Sequence, residues 1–341
     1  MVVLAYAAAT GLVVVGFTLL AEAASHGFDE LQRLGPYGPY LPLIWTPLLT
    51  MLVVWWTRRL APATAGSGIP QVVRALDDDL NPTQREWLVS VRISLHKIGL
   101  VSGGLLAGLV AVSVFGNETY FGTLRVQSLS WSLLLPGLAV ALVAGLAGGV
   151  FTRLLVVSVR GLPDRYSRWR RDHPLRFAGG CALLVAVICV ATGGATAGAG
   201  YAPTRALLEG HADLPGVYTL LKFCASWLSA WAGVPAGMFA PALAIGAGIG
   251  NDVALLTGLG RDAAIPLIAL GMVGFLAATT QGPITAFIIV MEMVSGQAMV
   301  LSLMACALLA GGVARLMTPR LYQELAALLP VPPASPAPPQ A

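Results

Sequence analysis

Charged side chains are scarce in this sequence. Of its 341 residues, 20 are Lys or Arg and 16 are Asp or Glu, together 11% of the chain, while 57% are hydrophobic. A soluble globular domain carries about 25% charged residues. Because so few charges cannot cover a water-facing surface, the composition excludes an ordinary soluble domain and indicates that much of the surface faces lipid.

Metal-binding and catalytic patterns are also missing. The four cysteines each lie alone in an apolar stretch, without CxxC or Cys/His spacing, so we interpret them as small buried groups. The chain has no HExxH, no GxSxG and no phosphate-binding loop with its lysine. We therefore expect a protein that is not an enzyme and that uses no metal and no other cofactor. The net charge of +4 fits basic loops at a membrane surface better than a nucleic-acid partner.

Long apolar runs recur throughout the sequence. About 20 residues are needed to cross the ~30 Å hydrocarbon core of a bilayer. Several runs are too short to cross alone or are broken by Gly or Pro, and broken helices that meet at membrane depth are one way in which transporters hold an ion. The pattern predicts an all-α integral membrane protein with runs near 2–25, 41–57, 94–116, 130–160, 175–195, 215–233, 239–258, 263–280, 282–294 and 297–317.

Arginine placement predicts the topology. Arg58 and Arg59 close one apolar run, and five arginines crowd the short loop at 165–176. Since basic residues favour the cytoplasmic side, we expect both groups at the same membrane face. Lys222 and Glu292 lie inside apolar runs, where a charge is costly, so we expect each to have a partner and a structural role.

The motif GSGIP at 66–70 is the first candidate anion site. Glycines let an ion approach the backbone, Ser67 adds a hydroxyl donor, and a short helix that follows would offer unpaired N–H groups. The alternative is a serine that merely caps a short helix. The motif consists of Gly66, Ser67, Gly68, Ile69 and Pro70.

A second break, GMFAP at 237–241, repeats this pattern. We expect the amides of Phe239 and Ala240 to lie at a helix start and to offer N–H groups to an anion, although a packed phenylalanine would explain the pattern too. Tyr322 is a third candidate donor, with an interfacial anchor as its alternative role. The break comprises Gly237, Met238, Phe239, Ala240 and Pro241.

In order and spacing, these motifs, with the segments 281–285 and 290–293 between GMFAP and Tyr322, resemble the CLC family of chloride channels and chloride/proton exchangers. The resemblance covers residues from about 5 to 328. It implies a CLC-like bundle of tilted and broken helices in two antiparallel halves. It also implies that Ser67, Gly68, Ile69, Phe239, Ala240 and Tyr322 line a chloride pathway, and that the protein is a homodimer with one pathway per chain.

One family motif is missing. CLC proteins carry Gly-Arg/Lys-Glu-Gly-Pro after GSGIP, and its glutamate gates the pathway. Glu118 in 116–120 is the nearest match, but the polar, turn-like sequence around it favours an external loop. We interpret the difference as an internal deletion near 103–110, and we expect proton coupling to be lost.

The domain organisation expected from the resemblance is a single transmembrane domain over 1–328. Its first half, about 1–128, is incomplete near 103–110, its second half covers about 129–328, and the Pro/Ala-rich tail 329–341 is disordered. We expect transport of chloride or similar monovalent anions across a bacterial-type inner membrane, as channel or exchanger. The alternative is a truncated, non-conducting relative that inserts into the bilayer and dimerises.

Overall fold

The computed structural model describes residues 35–60, 69–75, 121 and 131–329, except 162, 211–213, 215, 235 and 236, together with isolated residues between 12 and 33. The chain divides into two units. In the first, Met1–Leu41, Ala75–Glu118 and Pro330–Ala341, the residues Gly38–Tyr40 form a 3-10 helix. The second contains Pro42–Arg74 and Thr119–Leu329. The predicted deletion point, Glu118 and residues 330–341 lie outside the described residues.

The described chain is helical, and we number its α-helices in order. They are α1 Pro42–Leu60, α2 Ile69–Ala75, α3 Leu134–Arg160, α4 Arg165–Asp172, α5 Pro174–Ala191, α6 Tyr201–Leu208, α7 Tyr218–Ala232, α8 Phe239–Leu256, α9 Arg261–Thr280, α10 Pro283–Met293, α11 Val300–Arg315 and α12 Leu321–Ala327. Among the described residues, six stretches are long and apolar enough to cross a membrane: Gly38–Arg59, Leu134–Arg160, Pro174–Ala191, Phe239–Leu256, Ala263–Thr280 and Gln297–Arg315.

Helices α8 and α9 form the centre of the second unit. They pack backbone to backbone, because a Cβ atom on Gly246 would lie only 2.3 Å from the carbonyl oxygen of Gly271. Around this pair, α3 and α11 contribute small residues as well: a Cβ on Gly274 of α9 would meet the side chains of Ala144 and Cys306. Small residues at helix contacts are what close packing in a bilayer requires.

Two helices of this unit are too short to span a bilayer alone. Helix α7 has 15 residues and α10 has 11, so at ~1.5 Å per residue they are about 22 Å and 16 Å long. Helix α7 ends at Ala232, its C-cap Gly233 has a left-handed φ of 82°, and α8 begins at Phe239.

Helices α1 and α5 pack against each other, and Val54 late in α1 shares a buried cluster with Phe177 early in α5. The sulfur of Met51 in α1 comes within 2.8 Å of the position of a Cβ on Gly179 in α5. The last turn of α1 therefore lies near the first turn of α5, and Arg58 is close enough to Arg170 of α4 to act on it electrostatically. This confirms the prediction that the two arginine groups lie at the same end.

Candidate anion site at the start of α8

Helix α8 begins at Phe239, and Ala240 and Pro241 follow in its first turn. Met238 occupies the N-cap position and provides no side-chain cap. The first N–H groups of an α-helix have no acceptor within the helix, and they carry a partial positive charge. The break at 237–241 thus produces the helix start that the sequence predicts, with the Phe239 and Ala240 amides at its N-terminus.

Tyr322 lies beside this helix start, although 83 positions separate it from Phe239 in the chain. The two rings are nearly parallel, with an angle of 15° between their planes and 6.5 Å between their centroids. Tyr322 is the second residue of α12, and its hydroxyl oxygen is buried. The structure therefore brings together Phe239, Ala240 and Tyr322, three of the six candidate anion ligands.

The backbone before Tyr322 is held by Gln281, for which we predicted no role from the sequence. The side-chain amide of Gln281 donates to the carbonyl oxygens of Thr318 at 2.7 Å and Pro319 at 3.1 Å. Gln281 is 5% exposed and ends α9 in the left-handed region, with φ 53°. Leu321, next to Tyr322, is completely buried. Together these contacts fix where α12 begins.

The remaining candidate ligands belong to the motif GSGIP. Ile69 and Pro70 open the seven-residue helix α2, and Pro70 is buried. Proline is well suited to the first turn because its missing N–H would have no partner there. The prediction of a short helix after this motif is confirmed. Gly66, Ser67 and Gly68 lie outside the described residues, and the anion-binding roles of Ser67, Gly68 and Ile69 stay predictions.

Lys222 of α7 has the partners that its burial demands. It is 2% exposed, and its Nζ atom donates to the carbonyl oxygens of Thr196 at 2.9 Å, Ala197 at 3.5 Å and Gly198 at 2.8 Å. Three acceptors match the three donors of an ammonium group. Lys222 therefore fastens α7 to the segment after α5. Glu292, by contrast, is exposed in the last turn of α10, and its expected structural role stays a prediction.

Metal ligands do not cluster in the described part of the chain, where no group of three or more His, Cys, Asp or Glu residues could hold a metal ion. The donors at the start of α8 are backbone amides, and the ring of Tyr322 stacks beside them on Phe239. Such donors suit an anion, because they point positive hydrogens at it.

Six apolar stretches of spanning length among the described residues indicate an integral multi-pass membrane protein. The family model described as voltage gated chloride channel matches residues 98–315. That match covers more than half of the chain, and the chain therefore belongs to the CLC family of voltage-gated chloride channels. The resemblance inferred from the motifs is thereby confirmed.

Curated relatives are similar to part of the chain. It is 26% identical over 251 residues to the H(+)/Cl(-) exchange transporter ClcA of Vibrio campbellii, covering 70% of this chain and 51% of the relative. It is 28% identical over 200 residues to the voltage-gated ClC-type chloride channel ClcB of Escherichia coli, covering 57% of this chain and 46% of the relative. The chain thus spans about half the length of the curated relatives that it matches.

Solved structures share the fold. A slow cyanobacterial Cl-/H+ antiporter superposes with a TM-score of 0.73 at 17% identity, covering 95% of this chain and 96% of the antiporter. A CLC-type fluoride/proton antiporter gives a TM-score of 0.67 at 17% identity, covering 94% and 96%. These similarities show that the CLC-like helical fold predicted from the sequence is correct.

Proposed function

We propose that the protein moves chloride, or a similar monovalent anion, across a membrane as a channel or an exchanger. The observation that carries the proposal is the position of Tyr322 against Phe239 at the start of α8. Tyr322 thus offers a phenol beside a helix start, where unpaired amides carry a partial positive charge. The names of the ClcA and ClcB relatives support chloride as the ion.

The chemistry of these donors fits passage as well as binding. An amide or hydroxyl hydrogen bond to a charged group contributes about 1.5–3 kcal/mol. A few such bonds replace part of the water around an anion without the strong attraction of a buried ion pair. We infer that Ser67, Gly68 and Ile69 complete the ligand set and that no cofactor takes part. Family membership and the bacterial relatives support a homodimer in a bacterial inner membrane.

Chloride efflux from liposomes tests the proposal. Purified protein is reconstituted in chloride-loaded vesicles, valinomycin is added to carry the countercharge, and a chloride electrode follows the external solution. We expect wild-type efflux well above that of empty vesicles, and a slower rate in Tyr322→Phe, which keeps the ring but removes the donor. Tyr166→Phe is the matched control, because Tyr166 is an exposed residue of α4.

The result also separates the proposal from its alternative. A truncated family member that inserts without conducting would give wild-type efflux no faster than empty vesicles. Equal rates for Tyr322→Phe and Tyr166→Phe would mean that anions cross elsewhere. A loss confined to Tyr322→Phe would support the proposed pathway.

A further inference from the structure

Seven arginines gather at the end of the second unit where α1 ends and α5 begins. We call them the arginine cluster, and it consists of Arg58, Arg59, Arg165, Arg168, Arg170, Arg171 and Arg176. All except Arg170 are exposed. The cluster comes from three helices, because α1 supplies its last turn, α5 its first turn and α4 the segment between them.

The cluster keeps an excess of positive charge, because only two carboxylates, Asp164 and Asp172, lie among its seven arginines in the sequence. The ion pairs found in the described residues, Arg160–Glu324 and Arg205–Glu209, include none of the seven arginines. Asp164 acts electrostatically on Arg168 and also caps α4, accepting a hydrogen bond from the Ser167 amide at 2.8 Å. Hydrogen bonds from Ser167 also lower the pKa of Asp164.

The effect of this positive charge is clearest at Arg170. It is partly buried, and it donates to the backbone carbonyl of Ser158. Burial lowers the pKa of the Arg170 guanidinium, and the like charge of Arg58 lowers it further. An anion bound near both guanidinium groups would offset this repulsion.

Exposed aromatic side chains near the arginine cluster indicate which class of anion binds there. The ring of Trp169 packs edge-on against Phe177 of α5 with a centroid distance of 5.4 Å, yet Trp169 is 42% exposed. Its neighbour Tyr166 is 62% exposed, and the guanidinium of Arg59 lies 5.7 Å from the Trp55 ring. Exposed Trp and Tyr at the ends of spanning helices mark the depth of lipid headgroups. A membrane lipid is therefore favoured over a soluble polyanion.

We propose that the arginine cluster is a binding site for an anionic phospholipid headgroup, with Arg58 and Arg170 sharing its phosphate. Arginine forms paired hydrogen bonds to phosphate oxygens. The exposed Arg168 and Arg171 add attraction to the surrounding anionic headgroups. This inference rests on membrane residence and is independent of whether the protein conducts anions.

Lipid retention measured on the intact purified protein tests the site. The protein in detergent is titrated with phosphatidylglycerol or phosphatidylcholine, and bound lipid is counted by native mass spectrometry. The test variant is Arg168→Gln/Arg171→Gln, which removes two exposed charges of the cluster. The control is Arg205→Gln/Arg315→Gln, which removes the same charge from exposed arginines outside the cluster.

We expect wild type and control to retain phosphatidylglycerol in preference to phosphatidylcholine, and the test variant to bind it at least tenfold more weakly. The charge-conserving Arg168→Lys/Arg171→Lys variant is expected to keep most of the binding, and high salt to weaken it. Equal binding of the two lipids, or unchanged binding in Arg168→Gln/Arg171→Gln, would overturn the proposal. So would displacement of the lipid by millimolar inorganic phosphate or by an oligonucleotide, since either would identify a general polyanion site.

Discussion

The Gln281→Leu substitution probes how the fold holds Tyr322 in place. Leucine has nearly the volume of glutamine but cannot donate, so the carbonyls of Thr318 and Pro319 both lose their side-chain partner. Each lost hydrogen bond in a buried place costs about 1–1.5 kcal/mol, or about 2–3 kcal/mol for the two. The positive φ of Gln281 does not enter this difference, because leucine pays a similar backbone cost there.

The predicted consequence is specific to the anion site. Freed from Gln281, the segment before α12 no longer fixes the Tyr322 ring against Phe239, so its hydroxyl is misplaced for an anion at α8. Loss of one such hydrogen bond corresponds to about 1.4 kcal/mol or more, which is at least a tenfold rise in the chloride Kd. Isothermal titration of chloride into the purified protein measures that Kd, and an apparent Tm in detergent measures stability.

A matched control separates positioning from general loss of stability. Thr152→Val removes one buried hydrogen bond, from Thr152 Oγ1 to the Thr279 carbonyl at 3.1 Å, in the same part of α9. It leaves the contacts of Gln281 intact, and we expect the apparent Tm to fall while the chloride Kd changes less than about twofold. If Gln281→Leu lowered the Tm but left the chloride Kd at the wild-type value, Gln281 would only brace the fold and the reasoning would be refuted.

Three further predictions concern packing, burial and coupling. Gly246→Ala drives a methyl group into the Gly271 carbonyl and is expected to lower the stability of the fold by about 1–3 kcal/mol or more. The control Gly312→Ala, with open space around it, should leave the stability unchanged or raise it. Equal apparent Tm values for the two variants would contradict the close packing of α8 on α9. Lys222→Met removes the donor of three carbonyls and should lower the stability by more than about 3 kcal/mol, while the exposed Arg205→Gln should lower it by less than about 1 kcal/mol. Size-exclusion profiles and apparent Tm values of the two variants measure this difference. In liposomes, a chloride gradient should drive no stoichiometric proton movement, since the gating glutamate motif is missing from the sequence, and proton uptake at a pH electrode would show that prediction to be wrong.

The helices themselves could be predicted from the sequence. The apolar runs at 175–195, 239–258 and 263–280 agree with α5, α8 and α9 within a few residues, because run length and Gly or Pro breaks are local properties. The start of α8 at Phe239 follows from the same local chemistry. Family membership followed from motif order, which needs no knowledge of the folded contacts.

The contacts that build the site could not be predicted in this way. Gln281 donates hydrogen bonds to the carbonyls of Thr318 and Pro319. Because every residue has a backbone carbonyl, the sequence does not indicate which carbonyl will act as the acceptor. A partner was expected for Lys222, but the actual partners could not be predicted for the same reason, because they are backbone carbonyls.

Anomalous diffraction from crystals soaked in bromide tests the central claim most directly, because bromide replaces chloride and its position can be seen. We predict a peak within hydrogen-bonding distance of the Tyr322 hydroxyl and of the amides of Phe239 and Ala240. Bromide found only at surface arginines, with none at the start of α8, would contradict the account.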